Sequence, residues 1–240
     1  MNQEFFQWFK TTEMYCGIMQ QYHPDLILLE GSRTMGAFTE KSDYDIVVYT
    51  RYSTYDQMRH RVKTRYKDCV IHAFIINIEN YFKMLKNSIY IIDDFYQYCG
   101  VASLINKKQD EIIYKTQRGQ DFLDFFNIYG QDLLHIGIAG LCKSLYKELD
   151  AVVAENSYIT FENKKYFHLL MAYQKLHPEQ DIIPLIKEFR LKRSECICEE
   201  YRTRVIQIAQ ELLDFYRNSD FNREVILLNQ MEDFICHVLE

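Results

Sequence analysis

Residues 26–49 constrain this chain more tightly than any other segment. An apolar run from Leu26 to Leu29 meets Gly31-Ser32, and after a short loop Asp43-Tyr44-Asp45 leads into a second apolar run, Ile46 to Thr50. The pattern reads as strand, tight turn, loop and second strand. Successive strand residues alternate faces, so Asp43 and Asp45 point the same way, about 6.6 Å apart along the chain. Carboxylates so arranged can hold hard cations, and a pair of cations ~3.5–4 Å apart clamps a phosphoryl group during in-line displacement. Gly31 allows a tight turn and a close approach to a ligand, while backbone N–H groups and the Ser32 hydroxyl can hold phosphate oxygens opposite the metals.

Gly31-Ser32 followed by Asp43-x-Asp45 in an apolar strand resembles the DNA polymerase β-like nucleotidyltransferase superfamily. Over Gly31, Ser32, Arg33, Gly36, Ser42, Asp43, Tyr44 and Asp45 the chain is similar to the RNA-repair-associated (RlaP-type) predicted nucleotidyltransferases. Their motif reads Gly-Ser-Arg-x-x-Gly, a short loop, then Ser-Asp-Tyr-Asp. Met35 stands where that branch has an aromatic residue, and Val47 where it has an arginine, which removes a phosphate contact. Further on, Gly137 to Lys147, the Lys164 to Met171 segment with His168, and Leu185 to Arg190 look like the family's later helices, with Met171 in place of an arginine.

The resemblance implies a metal-dependent transfer of a nucleoside monophosphate from a nucleoside triphosphate to a hydroxyl acceptor. Asp43 and Asp45 would hold Mg²⁺ or Mn²⁺. Gly31, Ser32, Arg33, Ser42, Lys143 and Lys164 would bind the nucleotide, Lys147 and His168 being further candidates to reach the triphosphate. The acceptor would be an RNA such as tRNA, a small molecule or a protein. A cation on the leaving pyrophosphate lowers the barrier electrostatically, which is the chemical case for these lysines; plain helix surface is the competing reading.

Superfamily members usually take a third carboxylate from the neighbouring strand, here Cys69 to Ile76, which contains no acid. His72 falls at the expected place, and Asp68 sits at the strand's entrance. Two readings of His72 stand: a third ligand or base, and a satisfied core histidine. Without a third group the chain would be a nucleotide-binding regulatory or interaction module that kept the fold and lost turnover.

Around these motifs the chain reads as a small mixed sheet with helices packed on it. Apolar spacing from Phe5 to Tyr22 predicts one helix ending at Pro24 and covering the sheet. Ser53 is a candidate N-cap for a helix through about Arg65, Cys69 to Ile76 is a buried third strand, and Asn77 can cap a helix from Ile78 to Lys86. Ile89 to Ile92 fits either a short strand or the next helix. From about residue 94 the pattern is helical to the end, punctuated by Gly119 and Gly130, with a loop at Glu155 to Ser157, another bracketed by Pro178 and Pro184, and a last helix beginning at Asp220. The fold class is therefore α+β, with a nucleotidyltransferase catalytic domain over residues 1–115 and a helical domain over residues 116–240.

With 240 residues, 19 Tyr and 16 Phe against eight Gly and three Pro, the chain has ample core and disorder is excluded. Seven cysteines without zinc or disulfide spacing, no basic N-terminal leader and no apolar run near ~18 residues point to a reduced, cytoplasmic protein with no membrane span. The net charge of −6 gives no global attraction to nucleic acid and favours a small or structured acceptor. One segment is locally basic: Arg51, Arg59, Arg61, Lys63, Arg65 and Lys67, against Asp56 and Asp68. It reads either as a solvated helix face or as a track for nucleic-acid phosphates, with Tyr52, Tyr55 and Tyr66 nearby as potential stacking partners.

Overall fold

The computed structural model describes residues 2–34, 36, 38–40, 42–52, 60–90, 101, 104–144, 146–155, 170–171, 173–191, 199–219, 229–230, 232–234 and 236. Its centre is a five-stranded mixed sheet formed by β1 (Leu26–Glu30), β2 (Tyr44–Thr50), β3 (His60–Tyr66), β4 (Cys69–Asn77) and β5 (Ile112–Lys115). Their order across the sheet is β3-β4-β2-β1-β5. Only the β2–β4 pair is parallel. This is the expected α+β class.

One face of the sheet, carrying Ile27, Leu29, Tyr44, Ile46, Val48, Ile71, Ala73 and Ile75, is packed with Phe5, Phe6, Phe9 and Ile18. These four come from α1 (Asn2–Lys10) and α2 (Glu13–Tyr22). The single helix expected here is two. The Thr11 and Thr12 hydroxyls each donate to a carbonyl three residues back, Trp8 and Phe9, both at 2.7 Å, and so close α1. Thr12 then accepts from the Tyr15 amide at 3.1 Å as the N-cap of α2. Phe5 stacks on Tyr44 at 4.1 Å between centroids, tying the first helix to the strand that carries the acidic pair.

The other face is covered toward one end by α3 (Ile78–Tyr90) and the first turns of α4 (Gln117–Ser144). There Tyr49 meets Phe122 at 4.9 Å and Tyr81 at 6.0 Å, and Phe82 and Phe126 extend the aromatic layer. Asn77 caps α3 as expected, accepting from the Asn80 amide at 2.9 Å, but the helix runs past Lys86 and takes in Ile89; residues 91 and 92 lie outside the described residues.

Three expectations are corrected. The helix expected from Ser53 through Arg65 is, from His60 onward, the edge strand β3, paired residue by residue with β4; residues 53–59 lie outside the described set. The apolar run at residues 112–114 adds β5 beside β1 in a stretch expected to be helical. Gly119 and Gly130 do not punctuate, since α4 runs through both. A Cβ on Gly119 would collide with the carbonyl of Asp25, so this glycine permits close helix–strand packing. The loop expected between Pro178 and Pro184 is present over residues 177–182, and Pro184 lies in the first turn of α6 (Ile183–Leu191), where its missing N–H costs nothing.

Two further helices are α5 (Tyr146–Glu155) and α7 (Glu199–Arg217); of the loop expected at Glu155 to Ser157, residues 156 and 157 lie outside the described residues. The expected start of a last helix at Asp220 lies outside the described residues. By contacts the chain divides into two compact units, Met1–Lys86 with Ser103–Ile128 and Asn229–Glu240, and Asn87–Ala102 with Tyr129–Leu228. The whole sheet belongs to the first. Cys16, Cys69, Cys142 and Cys236 are free thiols. Among the described residues no helix is long and apolar enough to cross a membrane.

Candidate active site

β2 and β4 run parallel with Asp45 paired to His72, and β1 runs antiparallel to β2 with Glu30 paired to Asp45. Side chains directly opposite one another share a face, so Glu30, Asp45 and His72 form a row across three strands at the end of the sheet away from Tyr49. Asp43, two residues before Asp45, joins them. His72 Nδ1 lies 3.6 Å from Asp43 Oδ2 and 3.6 Å from Asp45 Oδ1. The histidine side chain is 11% exposed, whereas the two aspartates are 43% and 32% exposed. The carboxylates therefore open to solvent while the imidazole backs them.

Gly31 begins a short 3₁₀ turn, Gly31–Arg33, at the end of β1. Its φ is +74°, and a Cβ there would run into the Asp45 carboxylate, 3.2 Å from Cγ. Backbone conformation and the approach of Asp45 thus both favour glycine at this position. Ser32 is buried within the same turn, which is closed by the Thr34 hydroxyl donating to the Gly31 carbonyl at 2.9 Å.

Arg33 and Ser42, both candidates for nucleotide contact, are engaged in holding the loop between β1 and β2. The Arg33 guanidinium donates to the Ser42 carbonyl at 2.5 Å and to the Asp43 carbonyl at 3.1 Å. It also lies 3.8 Å from the Tyr44 ring centroid and donates to Cys69 Sγ at 3.3 Å. Cys69 in turn donates to the Glu40 carbonyl at 3.2 Å. Ser42 is buried, and its hydroxyl accepts from the Thr39 amide at 2.8 Å. The Tyr44 phenol is pushed above its ordinary range by burial, with the Arg33 charge opposing. The loop is thereby fastened at the residue that carries the first carboxylate.

Glu30 was not singled out from the sequence. It is 9% exposed and accepts a hydrogen bond from the Tyr49 hydroxyl at 3.1 Å. Only the pairing of Glu30 with Asp45 marks it as a neighbour of the site; a lone glutamate before a glycine carries no such signal. Arg51, part of the basic segment, is ion-paired with buried Asp25 at 3.4 Å. Lys143 lies in α4 with its side chain outside the described set, and Lys164 and His168 lie outside the described residues. Asp68, the alternative third acid, is exposed in the turn between β3 and β4.

Among the described residues no three histidine, cysteine or carboxylate groups stand in ligand geometry for one ion. The arrangement is two partly open carboxylates with an imidazole and a buried carboxylate behind them. Mg²⁺ commonly binds through one or two carboxylates and keeps several waters or phosphate oxygens, so the pair Asp43 and Asp45 suits it without a third protein ligand.

No family model matches the sequence, and no curated protein matches it. Among solved structures, a nucleotidyltransferase-like protein from Exiguobacterium sibiricum 255-15 aligns with 13% identity and a TM-score of 0.35, over 95% of this chain and 78% of that one. A likeness of that size carries no argument about function.

Proposed function

We propose that this chain is a metal-dependent nucleotidyltransferase of the polymerase β-like kind. The observation that carries the reading is the meeting of Asp43, Asp45 and His72 beside a turn in which a β-carbon on Gly31 would press on the Asp45 carboxylate. Asp43 and Asp45 are the residues to hold Mg²⁺, or Mn²⁺, with a nucleoside triphosphate. The bound ion would neutralise developing charge on the phosphates and leave the displacement in line. The turn at Gly31 and Ser32 receives phosphate oxygens through its backbone amides. Arg33 and Ser42 hold the loop so that Asp43 and Asp45 converge.

In this reading His72 takes the proton of the acceptor hydroxyl, whose oxygen forms the new bond to the α-phosphorus as the bond to pyrophosphate breaks. Lys143 and Lys164 remain candidates to reach the triphosphate. The acceptor is an RNA end such as tRNA, a small molecule or a protein side chain, and the setting is cytoplasmic. A second reading, a nucleotide-binding regulatory module without turnover, is supported by His72 standing in β4 beside Asp45, in a strand that carries no acid.

The test is transfer of label from each α-labelled triphosphate into tRNA, single-stranded RNA, cell protein or small molecules, with Mg²⁺ present or chelated. Asp43→Asn and Asp45→Asn should abolish Mg²⁺-dependent transfer while leaving circular dichroism unchanged. A double Asn variant with unaltered metal-dependent activity would sink the assignment. Metal-dependent triphosphate binding without transfer to any acceptor would select the regulatory reading.

A further inference from the structure

β1 is four fully buried aliphatic residues, Leu26 to Leu29, followed by a buried carboxylate. Antiparallel pairing sets that carboxylate, Glu30, opposite Asp45, and partners so placed carry Cβ atoms about 4.5–5.5 Å apart on one face. The Tyr49 hydroxyl donates to Glu30 Oε1 at 3.1 Å. The phenol is itself fixed, fully buried with the Phe122 ring at 4.9 Å and the Tyr81 ring at 6.0 Å. Glu30 is therefore held behind Asp45, drawn toward the covered end of the sheet, and among the described residues it completes no three-ligand metal group.

We infer that Glu30 is a positioning residue for the divalent cation: its buried negative charge draws the ion onto Asp43 and Asp45 without touching it. The inference rests on the metal-dependent reading given above. β4 brings an imidazole and no acid to this face, so the third carboxylate of the face comes from β1. Three carboxylates and one histidine thus share this end of the sheet. Arg33, three residues beyond Glu30, directs its donors to the Ser42 and Asp43 carbonyls and to Cys69 Sγ. Like charges gathered at low exposure are unfavourable by themselves and favourable with a dication among them, so the field that strains the group also deepens the well for the ion. At a separation of roughly 10 Å one unit charge changes dication affinity about fourfold even at the dielectric constant of water, and more where solvent is thin.

Mn²⁺ binding followed by electron paramagnetic resonance, with Mg²⁺ as competitor, tests it on the full chain at low salt, alongside urea midpoints in the presence of chelator. Glu30→Gln keeps the shape and the acceptor for Tyr49 and removes the charge. It should weaken both ions about three- to tenfold and leave the urea midpoint unchanged or higher, because relief of repulsion favours the folded state. Unchanged ion affinity, or a loss matched by a lowered midpoint, would overturn the inference and leave Glu30 a structural carboxylate. Glu30→Asp retains the charge and should hold affinity within about twofold of the parent; a loss equal to that of Glu30→Gln would also overturn it. If Glu30→Gln does not fold, Glu30→Met takes its place with the same expectation, and failure of both neutral variants to fold decides for the structural role. The Asp43→Asn/Asp45→Asn double variant keeps this outcome distinct from the metal-dependent reading. Ion binding lost there but kept in Glu30→Gln discards the role of Glu30 alone, whereas ion binding kept in the double variant, or absent from the parent, discards both.

Discussion

Asp45 and His72 are register partners on adjacent parallel strands, and His72 Nδ1 reaches both Asp45 Oδ1 and Asp43 Oδ2 at 3.6 Å. The imidazole therefore stands on the same face as the pair, in the strand from which the proposed reading would draw a third carboxylate. A carboxylate is the harder donor and suits Mg²⁺ better than imidazole. His72→Asp is expected to keep or raise Mg²⁺-dependent turnover, while His72→Ala lowers it. Turnover lost equally in both, with the fold intact by circular dichroism, would show that the ring does something a carboxylate cannot.

Alkaline pH should loosen the helical unit. Burial pushes the Cys142 thiol in α4 from 9.0 up to about 12, and burial together with Glu211 raises the Tyr173 phenol. Both groups hold their protons more tightly folded than unfolded, so the unfolded chain loses them first as pH climbs. The stability they contribute is complete below about pH 9 and is lost as pH rises toward 12. Urea midpoints measured from pH 8 to 11 should fall, and Cys142→Ser should flatten part of that fall. In the native protein at pH 8, Cys16 and Cys236, both exposed, should react with a thiol reagent while Cys142 does not.

The parts of the fold readable from sequence are those where one physical signal dominates. β1, β2 and β4 are near-continuous apolar runs because helices cover much of the sheet, and Asn77 announces the start of α3 by its capping chemistry. The helix expected over β3 was wrong because the alternation along its sequence is of charge against mixed residues: His60, Val62, Thr64 and Tyr66 alternate with Arg61, Lys63 and Arg65. A period of two was present, but hydrophobicity did not carry it. β5 has four residues and gains its identity only from pairing with β1. Asp43, Asp45 and His72 were found from spacing, whereas Glu30 needed the register, and the clamp made by Arg33 needed carbonyls that no side-chain pattern reveals.

Gly31→Ala should damage the site more than the fold. The residue sits at φ +74°, where a β-carbon costs about 1–2 kcal/mol. The added carbon would also press on the Asp45 carboxylate, which must turn away from its present place beside His72. The expected result is a small drop in the urea midpoint with a much larger loss of Mg²⁺-dependent triphosphate binding, measured by isothermal titration. Equal affinity for the triphosphate in the alanine variant would make Gly31 a structural turn only.

Arg33→Lys separates a loop clamp from a phosphate ligand. The guanidinium bridges the carbonyls of Ser42 and Asp43 and lies over the Tyr44 ring, 3.8 Å from its centroid. An ammonium keeps the charge but cannot span two carbonyls and stack at once. Loss of those contacts should cost about 1–3 kcal/mol and free the loop ahead of Asp43. Chymotrypsin should then cut faster at Phe38, whose ring lies 5.3 Å from the same guanidinium. Triphosphate affinity should fall in step with that cleavage rate, and adding Mg²⁺ with the triphosphate should slow the cutting again. Cleavage at the parent rate combined with weakened triphosphate binding would instead mean that Arg33 meets the phosphates directly.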